Sequence, residues 1–381
     1  MEHRYRPTYV EIDLSALRGN FQAIKKSIPK SSQILGVVKA NAYGHGVVEV
    51  SKTLVKEGID QLGVAILEEA IQLRRAGIKI PVVVLAGTDQ SQFSEVVKHN
   101  LTPVLWQQEV IREFHDFLKK NDLRSPVFIK VDTGMHRLGV NYDEFPQTCR
   151  LLSTLDRFNI ECLMSHFAIS EDPDSDLTKK QIDLFQKAIS QAKEFGLQIK
   201  RIGISNSGGI INHLFEKPSE NTLLVRPGIA LYGSVPDPKL ETKIRLKPVM
   251  HFKTAVIDIK DVKGGESIGY GGTYTAQQRL TIGVLPVGYA DGYNRNLSNK
   301  AEVLIKGKRV PVVGNISMDL TIIDISSVPD SKVGDEVVLL GTQGKEEISA
   351  WEIAKHLNTI SYEVLTSVSA RVPRIYKDSK S

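Results

Sequence analysis

Residues 34–46 read ILGVVKANAYGHG, a short apolar run that ends near Lys39 and passes into a loop of small residues and glycines. Seven further apolar runs follow, and amphipathic stretches with a helical period separate them. This alternation is typical of βα units around a parallel sheet. The eight runs cover residues 34–40, 61–66, 80–86, 101–106, 126–132, 160–168, 199–205 and 223–233.

Eight such runs predict an α/β fold with an N-terminal TIM (β/α)8 barrel over residues 1–235. A doubly wound open sheet is the alternative that the same alternation allows. From residue 236 onward the runs become alternating and β-branched, between Gly-rich turns, a pattern typical of antiparallel strands. We therefore predict a C-terminal, mainly antiparallel β domain over residues 236–381. We also expect residues 1–10 to pair with that domain.

The composition is that of an ordinary globular protein, with 41% hydrophobic and 24% charged residues. No apolar run approaches the roughly 20 residues that cross a bilayer, and the first residues lack a signal-peptide core, so we expect a cytoplasmic protein without membrane contact. The net charge of +5 forms no basic stripe, which argues against nucleic-acid binding. Cys149 and Cys162 form no CxxC pair and predict neither a disulfide framework nor a metal site.

Polar side chains gather where the predicted strands end, which is where TIM barrels carry their working residues. Lys39 closes the first strand, so we expect burial to lower its pKa and leave an amine that can form a Schiff base. Lys130 and Asp132 close the fifth strand, Arg137 follows in the next loop, and His166 ends the sixth strand. The sequence therefore predicts a concentration of charge at one barrel mouth.

The loops after the seventh and eighth strands predict a phosphate site, because free backbone N–H groups meet there in this fold. The seventh strand runs into residues 205–209, SNSGG, and the eighth carries Arg226 followed by Pro-Gly-Ile. Spacing alone fits pyridoxal phosphate and a sugar phosphate equally well. Lys39 on the first strand favours pyridoxal phosphate, with Arg226 facing the pyridine nitrogen.

Eight motifs, in order and spacing, resemble those of the bacterial alanine racemases over nearly the full length of the chain. They are VVKANAYGHG at 37–46, KVDTGMHRLG at 130–139, SHFA at 165–168, RPGIALYG at 226–233, GYGGTY at 269–274, VGYADGY at 287–293, SMD at 317–319 and SYEVLTSVSARVPRIY at 361–376.

The resemblance implies a pyridoxal-phosphate-dependent enzyme that interconverts L-alanine and D-alanine by a two-base mechanism and supplies D-alanine for peptidoglycan. Lys39 is expected to hold the cofactor covalently and to take the proton from D-alanine. Tyr270 is expected to act on L-alanine from the partner subunit of a homodimer, so that each site is shared between two chains.

The resemblance also implies which other residues bind cofactor and substrate. Arg137 is expected at the phenolic oxygen of the cofactor and again at the substrate, beside Met318 and Asp319. The further cofactor-binding residues are expected to be Tyr43, His166, Asn206, Ser207, Arg226, Gly228, Ile229 and Tyr362.

Lys130 matches a lysine that the family often carries as a carbamate, and we expect that modification here, orienting Arg137. A plain ion pair between Lys130 and Asp132 is the alternative. The chain departs from some family members at His136, Asn315 and Ser317. The resemblance implies that Asn315 lies on the entrance side of the site, so its identity leaves the breadth of substrates open.

Two other functions remain possible from the sequence. One is a related racemase that acts on serine or lysine, which the pocket volume would distinguish; the bulky Tyr362 and Met318 favour alanine. The other is a noncatalytic pyridoxal-phosphate-binding protein, but such proteins resemble the barrel alone and leave the β domain and Tyr270 unexplained. Decarboxylases of similar architecture lack the motif around Tyr270.

Overall fold

The structure is a computed structural model and describes residues 5–215 and 221–378. Strands and helices are numbered along the chain. The N-terminal elements are β1 (Tyr9–Asp13), α1 (Leu14–Ser27), β2 (Gln33–Val37), α2 (Lys39–Tyr43), α3 (Val47–Lys56), β3 (Gln61–Val64), α4 (Leu67–Arg75), β4 (Val82–Val84), α5 (Phe93–Lys98), β5 (Thr102–Leu105), α6 (Gln108–Lys120), β6 (Ser125–Asp132), β7 (Val140–Asn141), α7 (Phe145–Ser153), β8 (Phe158–Met164), α8 (Asp176–Glu194), β9 (Arg201–Gly203), α9 (Ser207–Ile211) and β10 (Thr222–Val225).

The second half of the chain is rich in strands. Its elements are β11 (Met250–Ala255), β12 (Asp258–Val262), β13 (Ser267–Ile268), β14 (Tyr274–Thr275), β15 (Leu280–Leu285), β16 (Glu302–Ile305), β17 (Lys308–Pro311), β18 (Thr321–Asp324), β19 (Glu336–Gln343), β20 (Glu346–Ile348), α10 (Ala350–Leu357), α11 (Ser361–Ser367) and β21 (Arg374–Lys377). No helix in either described segment is long and apolar enough to span a bilayer.

Eight parallel strands close into a barrel in the order β2, β3, β4, β5, β6, β8, β9, β10. Closure requires pairing at both possible seams, and both are made: Val104 of β5 pairs with Phe128 of β6, and Leu224 of β10 pairs with Gln33 of β2. The predicted TIM barrel is confirmed. The open-sheet alternative is wrong, because an open sheet would leave two strands with unpaired edges.

The helices of the barrel pack through apolar faces with the expected helical spacing. In α6, Ile111, Phe114 and Leu118 lie three or four positions apart and are all buried. Asp13 caps the start of helix α1, since its carboxylate accepts hydrogen bonds from the backbone N–H groups of Ser15 and Ala16. These faces cover the outside of the barrel and leave its mouth open.

The C-terminal half is built around a sheet with the order β17, β16, β19, β11, β1, β21, to which β20 adds beside β19. A three-stranded sheet (β12, β15, β18) and the β13–β14 pair complete it, and the pairings are antiparallel except between β1 and β21. Strand β1 therefore belongs to this sheet, with Val10 opposite both Phe252 and Arg374. One continuous hydrophobic core joins the barrel to the β domain.

Two glycines with the same φ angle differ in the space around them. Gly58 and Gly233 both have φ of +83°, which strains any L-residue by about 1–2 kcal/mol. A Cβ at Gly58 would meet nothing within 4 Å, whereas a Cβ at Gly233 would lie 1.8 Å from the carbonyl oxygen of Lys247. The absence of a side chain at Gly233 thus allows the chain after the last barrel strand to pack closely against the backbone just before β11.

We predict that Gly233→Ala destabilises the protein by about 1–3 kcal/mol more than Gly58→Ala, because only the first substitution adds a steric clash to the strain. Equilibrium denaturation monitored by circular dichroism measures both variants. Equal losses of unfolding free energy would contradict this interpretation of the Lys247 contact.

Candidate active site

A cavity of about 430 Å³ opens at the C-terminal ends of the barrel strands. Its lining includes four cations, Lys39, Lys130, Arg137 and Arg226, and none of the described residues that line it is a carboxylate. Such a site favours an anionic ligand. The lining residues are Val37, Lys39, Tyr43, Ala65, Leu85, Ala86, Lys130, Arg137, Leu138, Met164, His166, Asn206, Ser207, Arg226, Gly228, Ile229 and Tyr362.

The short element α2 after β2 is a left-handed turn rather than a regular α-helix, and Lys39 at its start lines the cavity. The four residues from Ala40 to Tyr43 all have φ between +51° and +54°, a left-handed conformation that costs about 1–2 kcal/mol per L-residue. Lys39, just before the turn, is half-buried, and burial lowers the pKa of its amine. The nearby guanidinium of Arg137 lowers that pKa further, while the carboxylate of Glu69 opposes the shift.

Arg226 is buried, and three backbone carbonyls hold its guanidinium. Its guanidinium donates hydrogen bonds to the oxygens of Gly203 (2.8 Å), Ser165 (2.6 Å) and Ile204 (3.1 Å), which lie at the ends of β8 and β9. These bonds fix the orientation of the guanidinium, which lines the cavity.

Lys130 lies buried on β6 among the other cations. Burial is the main cause that lowers its pKa, to about 8, and Arg226 and Arg137 add to the effect. The carboxylate of Asp132, which accepts hydrogen bonds from the backbone N–H groups of Gly134 and Met135, opposes this lowering of the Lys130 pKa. An amine of this pKa is partly unprotonated near neutral pH.

His166 contacts Arg226 through Nδ1, at 3.4 Å from the guanidinium. Burial, followed by the charges of Arg226, Lys130 and Arg137, holds the pKa of its imidazole well below the ordinary value. The ring is therefore neutral at physiological pH, and it offers the cavity a flat face without adding a fifth positive charge.

Hydroxyl groups and a glycine form a small cradle on the side of the cavity near β9 and β10. The Oγ of Ser207 accepts hydrogen bonds from the N–H groups of Gly228 (2.9 Å) and Ala230 (3.3 Å). A Cβ at Gly228 would lie 2.4 Å from the Tyr43 hydroxyl, so glycine is needed for this approach. The Tyr43 ring packs against that of Tyr362, with centroids 6.0 Å apart. The cradle therefore collects hydroxyl and backbone N–H groups around one point.

Tyr270, Met318 and Asp319 do not line this cavity. They lie on a second concave surface of about 470 Å³, which consists of Tyr270, Tyr289, Arg295, Ile316, Ser317, Met318, Asp319 and Leu320. The Tyr270 side chain is 74% exposed. Asp319 pairs with Arg371 at 2.6 Å, and the amide of Asn315 donates to the Tyr270 carbonyl. Within one chain, the two expected bases are thus in different cavities.

Two family models together match most of the chain: the alanine racemase N-terminal domain over residues 12–236 and the alanine racemase C-terminal domain over residues 249–376. The alanine racemase of Halothermothrix orenii is 42% identical over 98% of this chain and 97% of its own length. This chain belongs to the alanine racemase family. The resemblance stated from the eight motifs is therefore confirmed.

Solved alanine racemases share the whole architecture. The Bacillus anthracis enzyme with bound L-Ala-P superposes with a TM-score of 0.90 at 35% identity, covering 99% of this chain and 96% of that one. The Bartonella henselae enzyme with covalently bound pyridoxal phosphate gives a TM-score of 0.86 at 31% identity, covering 97% and 99%. A match that includes the C-terminal domain distinguishes this alanine racemase family member from binding proteins that consist of the barrel alone.

Several cavity residues of this family member escaped the sequence analysis. Leu85, Ala86 and Met164 close the cavity with apolar surface, and they were indistinguishable from ordinary strand residues at the ends of apolar runs. Glu69 was also missed, although it binds the backbone at the start of the left-handed turn. Its only sequence signal is a position in the first turn of the helix that follows β3.

We predict that Arg226→Gln raises the pKa of His166, because the substitution removes the cation nearest to the imidazole and leaves burial unchanged. His166 would then become protonated at a higher pH. Proton NMR titration of the cofactor-free protein measures this shift. Arg201→Gln, at the opposite end of the barrel, serves as the control, and an equal shift in that variant would refute a local effect.

Proposed function

We propose that this protein interconverts L-alanine and D-alanine with pyridoxal phosphate as cofactor, and that it works as a homodimer with shared sites. The observation that carries the proposal is Lys39, whose pKa is lowered, in a cationic cavity opposite a cradle of hydroxyl and N–H groups. The D-alanine formed would supply peptidoglycan synthesis. The names and bound ligands of the similar solved enzymes support the same assignment.

The cavity fits this cofactor at both of its ends. Phosphate suits the cradle, where Tyr43, Ser207 and Tyr362 supply hydroxyl groups and the backbone of Gly228 and Ile229 approaches closely. Asn206 stabilises the cradle, because its side chain accepts the Gly209 N–H at 3.0 Å and caps the helical turn that begins at Ser207.

Arg226 would meet the ring nitrogen of the cofactor and Arg137 its phenolic oxygen. The guanidinium of Arg226 keeps its own proton, since its pKa lies above about 12, and so acts only as a hydrogen-bond donor. The neutral His166 imidazole beside it would lie against the ring without competing for that contact. Three backbone carbonyls already hold Arg226, so little side-chain freedom is lost when the cofactor binds.

Racemisation needs a proton to leave one face of the substrate Cα and another to arrive on the opposite face. Pyridoxal phosphate, when bound, supplies an electron sink that acidifies the Cα–H bond. The Nζ of Lys39 would exchange the proton with D-alanine on one face, and its lowered pKa makes the unprotonated amine more abundant at neutral pH. The Oη of Tyr270 would serve L-alanine on the other face.

Tyr270 would reach this position from the partner subunit. In a single chain it lies outside the cavity that holds Lys39, on a surface where Tyr289, Met318 and Leu320 are also exposed. Exposed apolar side chains grouped in this way commonly mark a protein interface. In a two-fold dimer each chain gives the same surface to the other, so two equivalent sites would form.

Arg137, Met318 and Asp319 would bind the substrate. Arg137 adds a cation at the rim, suited to the alanine carboxylate, while Met318 and Asp319 would enter with Tyr270 from the partner. Tyr362 occupies the wall of the cavity, and together with Met318 it favours a methyl side chain over the larger side chains of serine or lysine.

Lys130 would carry a carbamate, formed when its unprotonated amine attacks carbon dioxide and releases a proton. Its pKa of about 8 and the neighbouring cations Arg226 and Arg137 support the modification, because an anion replaces a cation among like charges. The new carboxylate would orient Arg137 toward substrate and cofactor.

We predict that Lys39→Ala and Tyr270→Phe each lower kcat for alanine racemisation by about 10²–10⁴-fold, the usual effect of removing an acid or base. Purified heterodimers that combine one chain of each kind should recover about half of the wild-type activity, since two-fold symmetry restores one complete site of two. Chiral chromatography of D-alanine formed from L-alanine measures both results.

A heterodimer of Lys39→Ala with a Lys39→Ala/Tyr270→Phe chain is the matched control and should stay inactive, since neither of its sites contains Lys39. If the first heterodimer recovered no racemase activity, the proposal of a shared site would be overturned. The proposed reaction would be overturned if the wild-type protein, with cofactor added, left L-alanine unchanged. It would also be overturned if the protein racemised serine or lysine faster than alanine.

We predict a carbamate at Lys130 that is present near pH 8 and disappears as the pH falls, since protonation of the amine with its pKa of about 8 removes the nucleophile. Carbon-13 NMR with labelled bicarbonate detects it as a resonance that Lys130→Ala lacks. Labelled wild-type protein without such a resonance would leave Lys130 as a plain amine.

A further inference from the structure

The left-handed turn at residues 40–43 is held by side chains that lie outside the cavity. Because Ala40, Asn41 and Ala42 are L-residues with a Cβ, their φ values near +50° require contacts that compensate the strain. The turn joins two residues of the cavity, Lys39 before it and Tyr43 at its end. Whatever holds the turn therefore also sets the spacing between the amine and the phosphate cradle.

His45 holds the C-terminal end of the turn. Its Nδ1 lies 2.9 Å from the carbonyl oxygen of Ala42 and 2.8 Å from that of Tyr43, so Nδ1 carries the proton and donates to both. The ring is fully buried and packs on Tyr232 with centroids 4.6 Å apart. Burial lowers the pKa of His45 to about 4, so the imidazole remains neutral in this arrangement.

Tyr232 connects His45 to the strand before the turn. Its hydroxyl donates to the carbonyl oxygen of Val37 at the end of β2, and its ring also stacks on Tyr43 at 4.8 Å. One buried aromatic ring thus contacts the chain on both sides of Lys39. Any displacement of His45 would be passed to the turn and to Tyr43 together.

Glu69 holds the N-terminal end of the turn. One carboxylate oxygen accepts the Ala40 N–H at 2.6 Å, and the other accepts the Ala65 N–H at 2.8 Å. The side chain therefore joins the turn after β2 to the loop after β3. Its negative charge also acts on the neighbouring Lys39 amine.

We propose that His45 and Glu69 are positioning residues of this enzyme, which act together through the left-handed turn to place Lys39 and Tyr43 for cofactor binding. The effect on cofactor binding rests on the proposed function, whereas the conformation of the turn can be measured without cofactor. Neither side chain lines the cavity, so both act through the backbone that they hold.

Three variants of His45 separate its hydrogen bonds from its packing. His45→Asn keeps a donor near the position of Nδ1, His45→Phe keeps a ring against Tyr232 without the donor, and His45→Leu keeps neither. We expect the dissociation constant for pyridoxal phosphate to rise about tenfold in the Phe and Leu variants, the size of one lost buried hydrogen bond, and to be largely restored in the Asn variant.

Hydrogen exchange of the cofactor-free chain reports on the turn directly. The backbone N–H groups of Ala42, Gly44, His45 and Gly46 all donate within this segment. We expect them to exchange faster in His45→Phe and Glu69→Gln, while wild type, His45→Asn and Glu68→Gln remain protected. Glu68 is the matched control, because it is exposed on the same helix.

Two results would overturn the proposal. One is that His45→Asn and His45→Phe have the same affinity for pyridoxal phosphate and the same exchange rates. The other is that exchange becomes faster evenly over the whole barrel and not specifically at residues 38–47. If His45→Phe fails to fold, the comparison of hydrogen exchange in Glu69→Gln with that in Glu68→Gln decides by itself. A chain that carries both His45→Phe and Glu69→Gln tests whether the two residues act together. If its dissociation constant for pyridoxal phosphate rises by the product of the two single rises, the residues act independently, which would contradict a shared turn. Wild type that binds no pyridoxal phosphate would refute the proposed function, while the exchange data would still test the turn.

Discussion

The left-handed turn after β2 is the constraint on which the cavity depends. It reverses the chain over a few residues and brings Lys39 and Tyr43 into one cavity at the mouth of the barrel. A regular helix starting at Lys39 would follow the right-handed path of the other βα connections. The strain in this segment is sustained because hydrogen bonds to Glu69 and His45 hold its two ends, and such strain is common at sites where side chains must be held in advance of their ligand.

Charge is the second organising feature of the site. Lys39, Lys130, Arg137 and Arg226 share one cavity whose described lining contains no carboxylate, so the cations repel each other until anions arrive. Burial is the main cause that lowers the pKa values of the two lysines and of the His166 imidazole, and this repulsion lowers them further. A bound phosphate, a substrate carboxylate and a carbamate would each relieve it. Binding and the chemistry of the lysines are therefore coupled through the same electrostatic interactions.

Much of the architecture could be predicted from the sequence, since hydrophobic periodicity marks each strand of the barrel and the change to alternating runs marks the β domain. The polar ends of the strands also indicated which side chains would meet, because parallel strands of a closed barrel end at one mouth. The left-handed turn could not be predicted, because positive φ is uncommon for residues other than glycine and the contacts that hold it, those of His45, Tyr232 and Glu69 among them, form only in the folded chain. Apolar residues such as Leu85 and Met164 could not be assigned to the cavity from the sequence, because only the closed barrel shows which of its residues line the mouth.

The position of β1 has a consequence for how the chain acquires its structure. This strand, near the start of the sequence, lies between β11 and β21, which begin at residues 250 and 374. During synthesis the barrel strands can pair while the first segment has neither neighbour, and the sheet is completed only when the last part of the polypeptide has left the ribosome. Strands β1 and β21 are thus neighbours in a single sheet, so a truncation that removes either strand would disturb the same hydrogen-bonded ladder.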